Sequence, residues 1–156
     1  MKRDLRLQGL SSDHHRALAL ARSLAARAEQ AGRAAGAVAA ELKARFDREI
    51  EPHFRIEEEV LLPALLAAGE VGLSRRTADE HATLRQAVAA IARGDFARIP
   101  DFAGRLVSHV RFEERELFPC CEERLSKGVL DEVQRRSFSA TKVSVADWRP
   151  TPSSSR

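Results

Sequence analysis

One phrase occurs twice in this chain, and the repeat demands helices. His53-Phe54-Arg55-Ile56-Glu57-Glu58 runs on to Leu61 and Pro63, and His109-Val110-Arg111-Phe112-Glu113-Glu114 runs on to Leu117 and Pro119. Both read H-x-R-x-E-E-x-x-L-x-P, 56 positions apart. On a helix, residues i and i+4 stack on one face, so each phrase sets an imidazole beside a carboxylate. Two further histidines, His14 and His81, each follow an acid, Asp13 and Glu80, at the head of an apolar stretch.

The apolar period decides which face these groups occupy. Phe102, Leu106, His109, Glu113, Leu117 and Cys120 follow one another in steps of three and four, the helical period. Phe46, Ile50, His53, Glu57, Val60, Leu61 and Ala64 form a second such stripe, and Thr77, His81, Leu84, Val88 and Ile91 a third. Each stripe therefore carries polar groups inward. A carboxylate in an apolar core is costly unless something pairs with it. The stripes hold no Arg or Lys to do so, whereas two divalent ions would. A His-Glu ion-pair network without metal is the alternative.

His14 and His15 compete for the fourth position. From His14 the offsets +3, +7 and +10 give Ala17, Ala21 and Leu24, matching Leu84, Val88 and Ile91 after His81. From His15 they give Leu18, Arg22 and Ala25, with an arginine on the core face, although His15 shares H-x-x-L with His81. The spacing favours His14 and leaves His15 as a surface residue or a neighbour of the ligands.

At 156 residues the chain suits one domain able to bury a core without staples. Its net charge of +3 is spread among interspersed acids and bases, with no basic block or stacking aromatics, which argues against nucleic acid. The longest uncharged stretch, Val60 to Gly69, is too short for a bilayer. With charges at Lys2, Arg3 and Asp4 where a leader needs its apolar segment, a soluble, cytoplasmic protein is expected, without membrane contact. The two cysteines, Cys120 and Cys121, are adjacent and read as thiols, Cys120 as a packed core group.

Helices are expected over about 12–30, 38–67, 74–92, 100–125 and, as a short extra element, 128–138. Ser11, Ser12 or Asp13 would cap the first, Ser74 the third, and Pro52 would kink the second just before His53. The fold class is all-α: an antiparallel up-down-up-down four-helix bundle over residues 1–138. Residues 139–156 lose the apolar period and read as a mobile tail containing Trp148.

On these anchors, Asp13-His14, His53 to Glu57 with Leu61 and Pro63, Glu80-His81, and His109 to Glu113 with Leu117-Phe118-Pro119, the chain resembles the hemerythrin-like (HHE cation-binding) domain family over roughly residues 10–126. The resemblance implies a four-helix bundle around a non-haem di-iron centre, two Fe ions joined by an oxo (Fe-O-Fe) or hydroxo bridge. It implies that His14 and His53 serve one iron, His81 and His109 the other, and that Glu57 and Glu113 bridge them. Imidazole and carboxylate suit iron, and zinc or manganese also fit. Oxygen-carrying members have a further histidine where this chain has Thr77, a poor ligand, so one iron gains room for water or substrate. Carriers also place their last carboxylate five residues after the final histidine, at Glu114 here. Glu113 repeats the spacing of Glu57 and lies on the stripe, which leaves Glu58 and Glu114 as rim residues or partners of the ligands.

The expected function is that of a protein that senses or reacts with O2, peroxide or NO, or handles iron itself. A regulatory interaction module with a structural metal site and a protein partner is the alternative, and an enzyme proper, such as a peroxidase or an iron-donating repair protein, a third.

Overall fold

A computed structural model describes residues 2–28 and 30–146. The described residues are helical and contain no strand. Five helices follow one another: α1, Gln8–Ala28; α2, 35–67; α3, Val71–Ala92; α4, 99–124; and α5, Lys127–Ala146.

The first helix begins earlier than the Ser and Asp residues near position 12 suggest. A 3-10 turn, Leu5–Leu7, leads into it, and Asp4 caps that turn by accepting a hydrogen bond from the Arg6 amide at 2.9 Å. The earlier start buries Leu7 and Leu10 completely. Ser11 and Asp13 are used elsewhere, as described below. Ser74 also does not cap α3: it lies one turn inside, and its hydroxyl donates to the carbonyl of Glu70 at 3.0 Å. At the other end α5 passes its expected stop at Phe138 and continues to Ala146. Residues 139–146 hold neither proline nor glycine, so nothing in them breaks a helix. The remainder of the expected tail, with Trp148, lies outside the described residues.

Helices α2 and α4 are each threaded through wide, π-type turns: Phe46–Ile50 and Glu57–Leu61 in α2, Glu113–Leu117 in α4. Every one ends two residues before a proline, namely Pro52, Pro63 and Pro119. A proline offers no N–H and its ring collides with the carbonyl four residues back. Those carbonyls belong to Arg48, Glu59 and Arg115, each inside a wide turn, where the ladder is already loosened. A wide turn also adds a residue and advances the buried stripe by one. Hence Leu65 is buried rather than Ala64, and Cys121 is the fully buried thiol rather than Cys120.

Helix α1 packs along α4 over the most extensive contact in the molecule, and α1–α2, α2–α3 and α3–α4 contacts complete a cycle of neighbours. The α5 helix lies across the start of α1 and the middle of α2. Two apolar clusters fill the interior. One contains Leu20, Leu24, Leu42, Phe46, Phe54, Leu84, Ile91, Phe102 and Leu106; the other Leu7, Leu10, Leu61, Leu65, Leu117, Phe118, Cys121 and Val133. In α1, α2 and α4 the first cluster gives way to the second at His14, His53 to Glu57, and His109 to Glu113, so a layer of polar side chains lies between them.

Candidate metal centre

That layer brings together the six residues that the two phrases and the two acid-His pairs single out. Glu57, His81 and Glu113 have no exposed surface, His109 keeps 2%, and His14 and His53 keep 4%. His15 is exposed, while Ala17, Ala21 and Leu24, the residues in phase with His14, are buried. Of the two adjacent histidines it is therefore His14 that lies in the buried polar layer.

All four Nε2 atoms face the two carboxylates. Glu57 lies with Oε1 3.3 Å from His53 and Oε2 3.2 Å from His81. Glu113 lies with Oε2 2.9 Å from His14 and Oε1 2.9 Å from His109. Each carboxylate thus turns one oxygen to each histidine pair. Ligand atoms of His14, His53, Glu57 and Glu113 lie within 4.8 Å of one another, as do those of Glu57, His81, His109 and Glu113.

The outer nitrogens are held just as regularly. Nδ1 of His53 donates to Asp13 at 3.3 Å, that of His81 to Glu58 at 2.8 Å, that of His109 to Glu80 at 2.8 Å, and that of His14 to Glu114 at 2.7 Å. Each of these acids, adjacent in sequence to a histidine (Asp13, Glu80) or to an inner glutamate (Glu58, Glu114), therefore serves a histidine on another helix: α1 holds α2, α2 holds α3, α3 holds α4, and α4 holds α1. Each of these carboxylates meets an arginine on its outer side. Arg16 pairs with Asp13, Arg85 with Glu58 at 2.7 Å, Arg76 with Glu80 at 2.8 Å and Arg3 with Glu114 at 2.8 Å. Ser11 adds a hydrogen bond to Glu114 at 2.7 Å.

Charge follows this geometry. Burial alone would raise Glu114, but hydrogen bonds from His14, Ser11 and Arg3 hold it at about 2. Glu58 and Glu80 are likewise lowered, against their burial, by Arg85 with His81 and by His109 with Arg76. Inside, burial pushes the histidines down, yet the facing glutamates outweigh it: His109 rises to about 9 through Glu113, and His14, His53 and His81 are raised too.

Do these residues suit a cation? Both oxygens of Glu57 and of Glu113, with Nε2 of His81 and of His109, are buried and make no hydrogen bond. They approach one another closely but are not aligned as donor and acceptor. Nε2 of His14 and Nε2 of His53 sit 3.2 Å apart. Because each Nδ1 carries the proton it donates outward, a neutral ring presents a bare lone pair inward. Lone pairs and carboxylate oxygens crowded in a buried layer require positive charge between them, supplied by protons or by metal. Imidazole nitrogen and carboxylate oxygen are donors that first-row metals accept. The set falls into two groups of four that could each hold a metal ion, with Glu57 and Glu113 common to both.

Aromatic rings wall the layer. Phe54 stacks on His81 with centroids 3.7 Å apart, and Phe118 lies parallel to His14 at 5.2 Å. Beside His14, His53 and Glu113 a cavity of about 10 Å³, bordered by Ala17, Ile50, Phe54 and Leu106, has room for one water-sized molecule.

Thr77 is fully buried one turn before His81, but its hydroxyl donates to the carbonyl of Leu73 at 2.9 Å. Glu58 and Glu114 face the outer nitrogens of His81 and His14 rather than the centre. The arginines and stacked phenylalanines were not singled out by their spacing. The signal for the outer acids was present: a residue adjacent to a stripe position points about 100° away, toward a neighbouring helix.

The family described as Hemerythrin HHE cation binding domain matches residues 6–121. No curated protein and no solved structure matches the chain. Among the described residues, no helix is long and apolar enough to cross a membrane.

Proposed function

The chain belongs to the hemerythrin HHE cation-binding domain family, and on that premise we propose that it is a non-haem di-iron protein that senses or reacts with O2, peroxide or NO, or handles iron. The observation that carries this reading is the division of each buried carboxylate between two histidine pairs. His14 and His53 would hold one ion, His81 and His109 the other, with Glu57 and Glu113 shared and their charge offset by the ions. One-electron chemistry toward small oxidants is what iron supplies when held there.

The chain's own residues supply the rest. Phe54 and Phe118 stack on the imidazoles and help to shield them from water. Thr77 turns its hydroxyl to its own helix, so the pair His81 and His109 has no further imidazole beside it. Reaction or exchange is therefore favoured over reversible carriage. We take α1–α4 as an up-down-up-down antiparallel bundle, for which the short connections α2–α3 and α3–α4 speak. The free thiols suit a reducing, cytoplasmic setting.

Exposing the ferrous protein to oxygen, and separately to peroxide, while recording its visible spectrum tests the proposal. Oxidation that is not undone by removing oxygen is expected. Repeated binding and release of oxygen without oxidation would contradict it. Inertness toward both, together with a large loss of helix on chelation, would favour an interaction module with a structural metal.

A further inference from the structure

The four outward hydrogen bonds run in one direction around the helices and close on themselves. Asp13 on α1 holds His53 on α2, Glu58 on α2 holds His81 on α3, Glu80 on α3 holds His109 on α4, and Glu114 on α4 holds His14 on α1. Within a single helix no histidine has its outer nitrogen held by an acid of its own.

An imidazole left free can turn its ring and present either nitrogen, and either nitrogen can carry the proton. A carboxylate at Nδ1 removes both freedoms: it fixes the proton on Nδ1 and aims the Nε2 lone pair inward. Arg85, Arg76 and Arg3 help to keep Glu58, Glu80 and Glu114 ionised, and so able only to accept. We propose that Asp13, Glu58, Glu80 and Glu114 are positioning residues, each presetting the metal ligand of the next helix. This inference rests on the reading of the centre as a metal site. Metal affinity then depends on the register of all four helices, because every inner histidine is aimed by a neighbour. Glu51 offers an internal comparison. It binds the same Arg85, at 2.9 Å, as does Glu58, but it is not among the acids that hold the histidines.

Titration of the metal-free full chain with Co²⁺ against a chelator, followed by its visible absorption, tests the proposal. The wild-type chain is expected to take up two ions. Glu80→Ala should weaken one of them by about 10–100-fold while far-ultraviolet circular dichroism stays unchanged. Glu80→Gln should recover most of the affinity, since its amide oxygen still accepts from Nδ1, and Glu51→Ala should match the wild type. Glu58→Ala and Glu58→Gln repeat the comparison at His81, so loss of folding in one variant leaves the other decisive. Wild-type affinity and spectrum in both alanine variants, or glutamine variants as weak as alanine, would overturn the positioning role alone. A wild-type chain that takes up no Co²⁺ would overturn the metal reading together with it.

Discussion

Nε2 of His109 and Oε1 of Glu113, one turn apart on α4, sit 2.9 Å from each other without forming a hydrogen bond. In the metal-free protein a proton relieves that contact. His109 is raised to about 9 from an ordinary 6.5, so its stabilising contribution is complete below 6.5 and disappears as pH climbs through 9. Glu113, lowered well below 4.5 by His109 against its burial, contributes fully above 4.5 and loses its effect in acid. The metal-free protein should therefore melt highest between about pH 4.5 and 6.5, and progressively lower toward 9. With metal present the slope over 6.5 to 9 should reverse, because Nε2 must shed its proton to bind. Melting curves in chelator and in excess metal check both slopes. A metal-free protein that gains stability from pH 6.5 to 9 would contradict this.

Phe54 joins the polar layer to the larger apolar cluster. It stacks on His81 and meets Phe46 edge-on, with centroids 5.9 Å apart. Phe54→Ala should cost about 3–5 kcal/mol, as expected for emptying a buried aromatic site. Urea unfolding of the metal-free protein measures it, and a loss below 1 kcal/mol would show that the ring is not packed as described.

Two glycines should respond to alanine with opposite signs. A Cβ on Gly9 would lie 2.7 Å from Cβ of Ser137, where α5 crosses α1. Gly9→Ala should destabilise by about 1–3 kcal/mol through overpacking. Gly104, inside α4, has nothing within 4 Å of its would-be Cβ. Gly104→Ala should stabilise by about 0.5–1 kcal/mol. Paired denaturant titrations give both, and equal signs would refute the assigned α1–α5 contact.

Asp13 reaches its imidazole at 3.3 Å, the longest of the four outer hydrogen bonds. Adding one methylene in Asp13→Glu should shorten that reach and slow chelator-driven loss of the ion between His14 and His53. Stopped-flow chelation compares the two proteins. Faster release in the variant would mean that the short side chain is already the better fit.

The inner residues of the layer are legible in the sequence because their spacing is local: His53 with Glu57 and His109 with Glu113 repeat one helical turn. Which histidine each outer acid serves is not. Glu114 and His14 are separated by 100 residues, and only the docking of α4 against α1 joins them. Ser11 and Asp13 look like caps because such residues usually are, yet here they reach Glu114 and His53. The exchange of Cys120 for Cys121 escapes a 3.6-residue period because the wide turn at Glu113–Leu117 inserts a residue that periodicity does not anticipate. The unbroken run of α5 to Ala146 was hidden for a different reason, since the fading of an apolar period in the sequence does not end a helix.

Metal analysis of protein made in iron-supplemented medium, without a metal-binding tag, addresses the central claim most directly. Two irons per chain are expected, with both falling in Glu113→Ala, because that carboxylate faces both histidine pairs. One ion or none in the wild-type chain would contradict the shared-carboxylate centre and leave its charge to be balanced by protons alone.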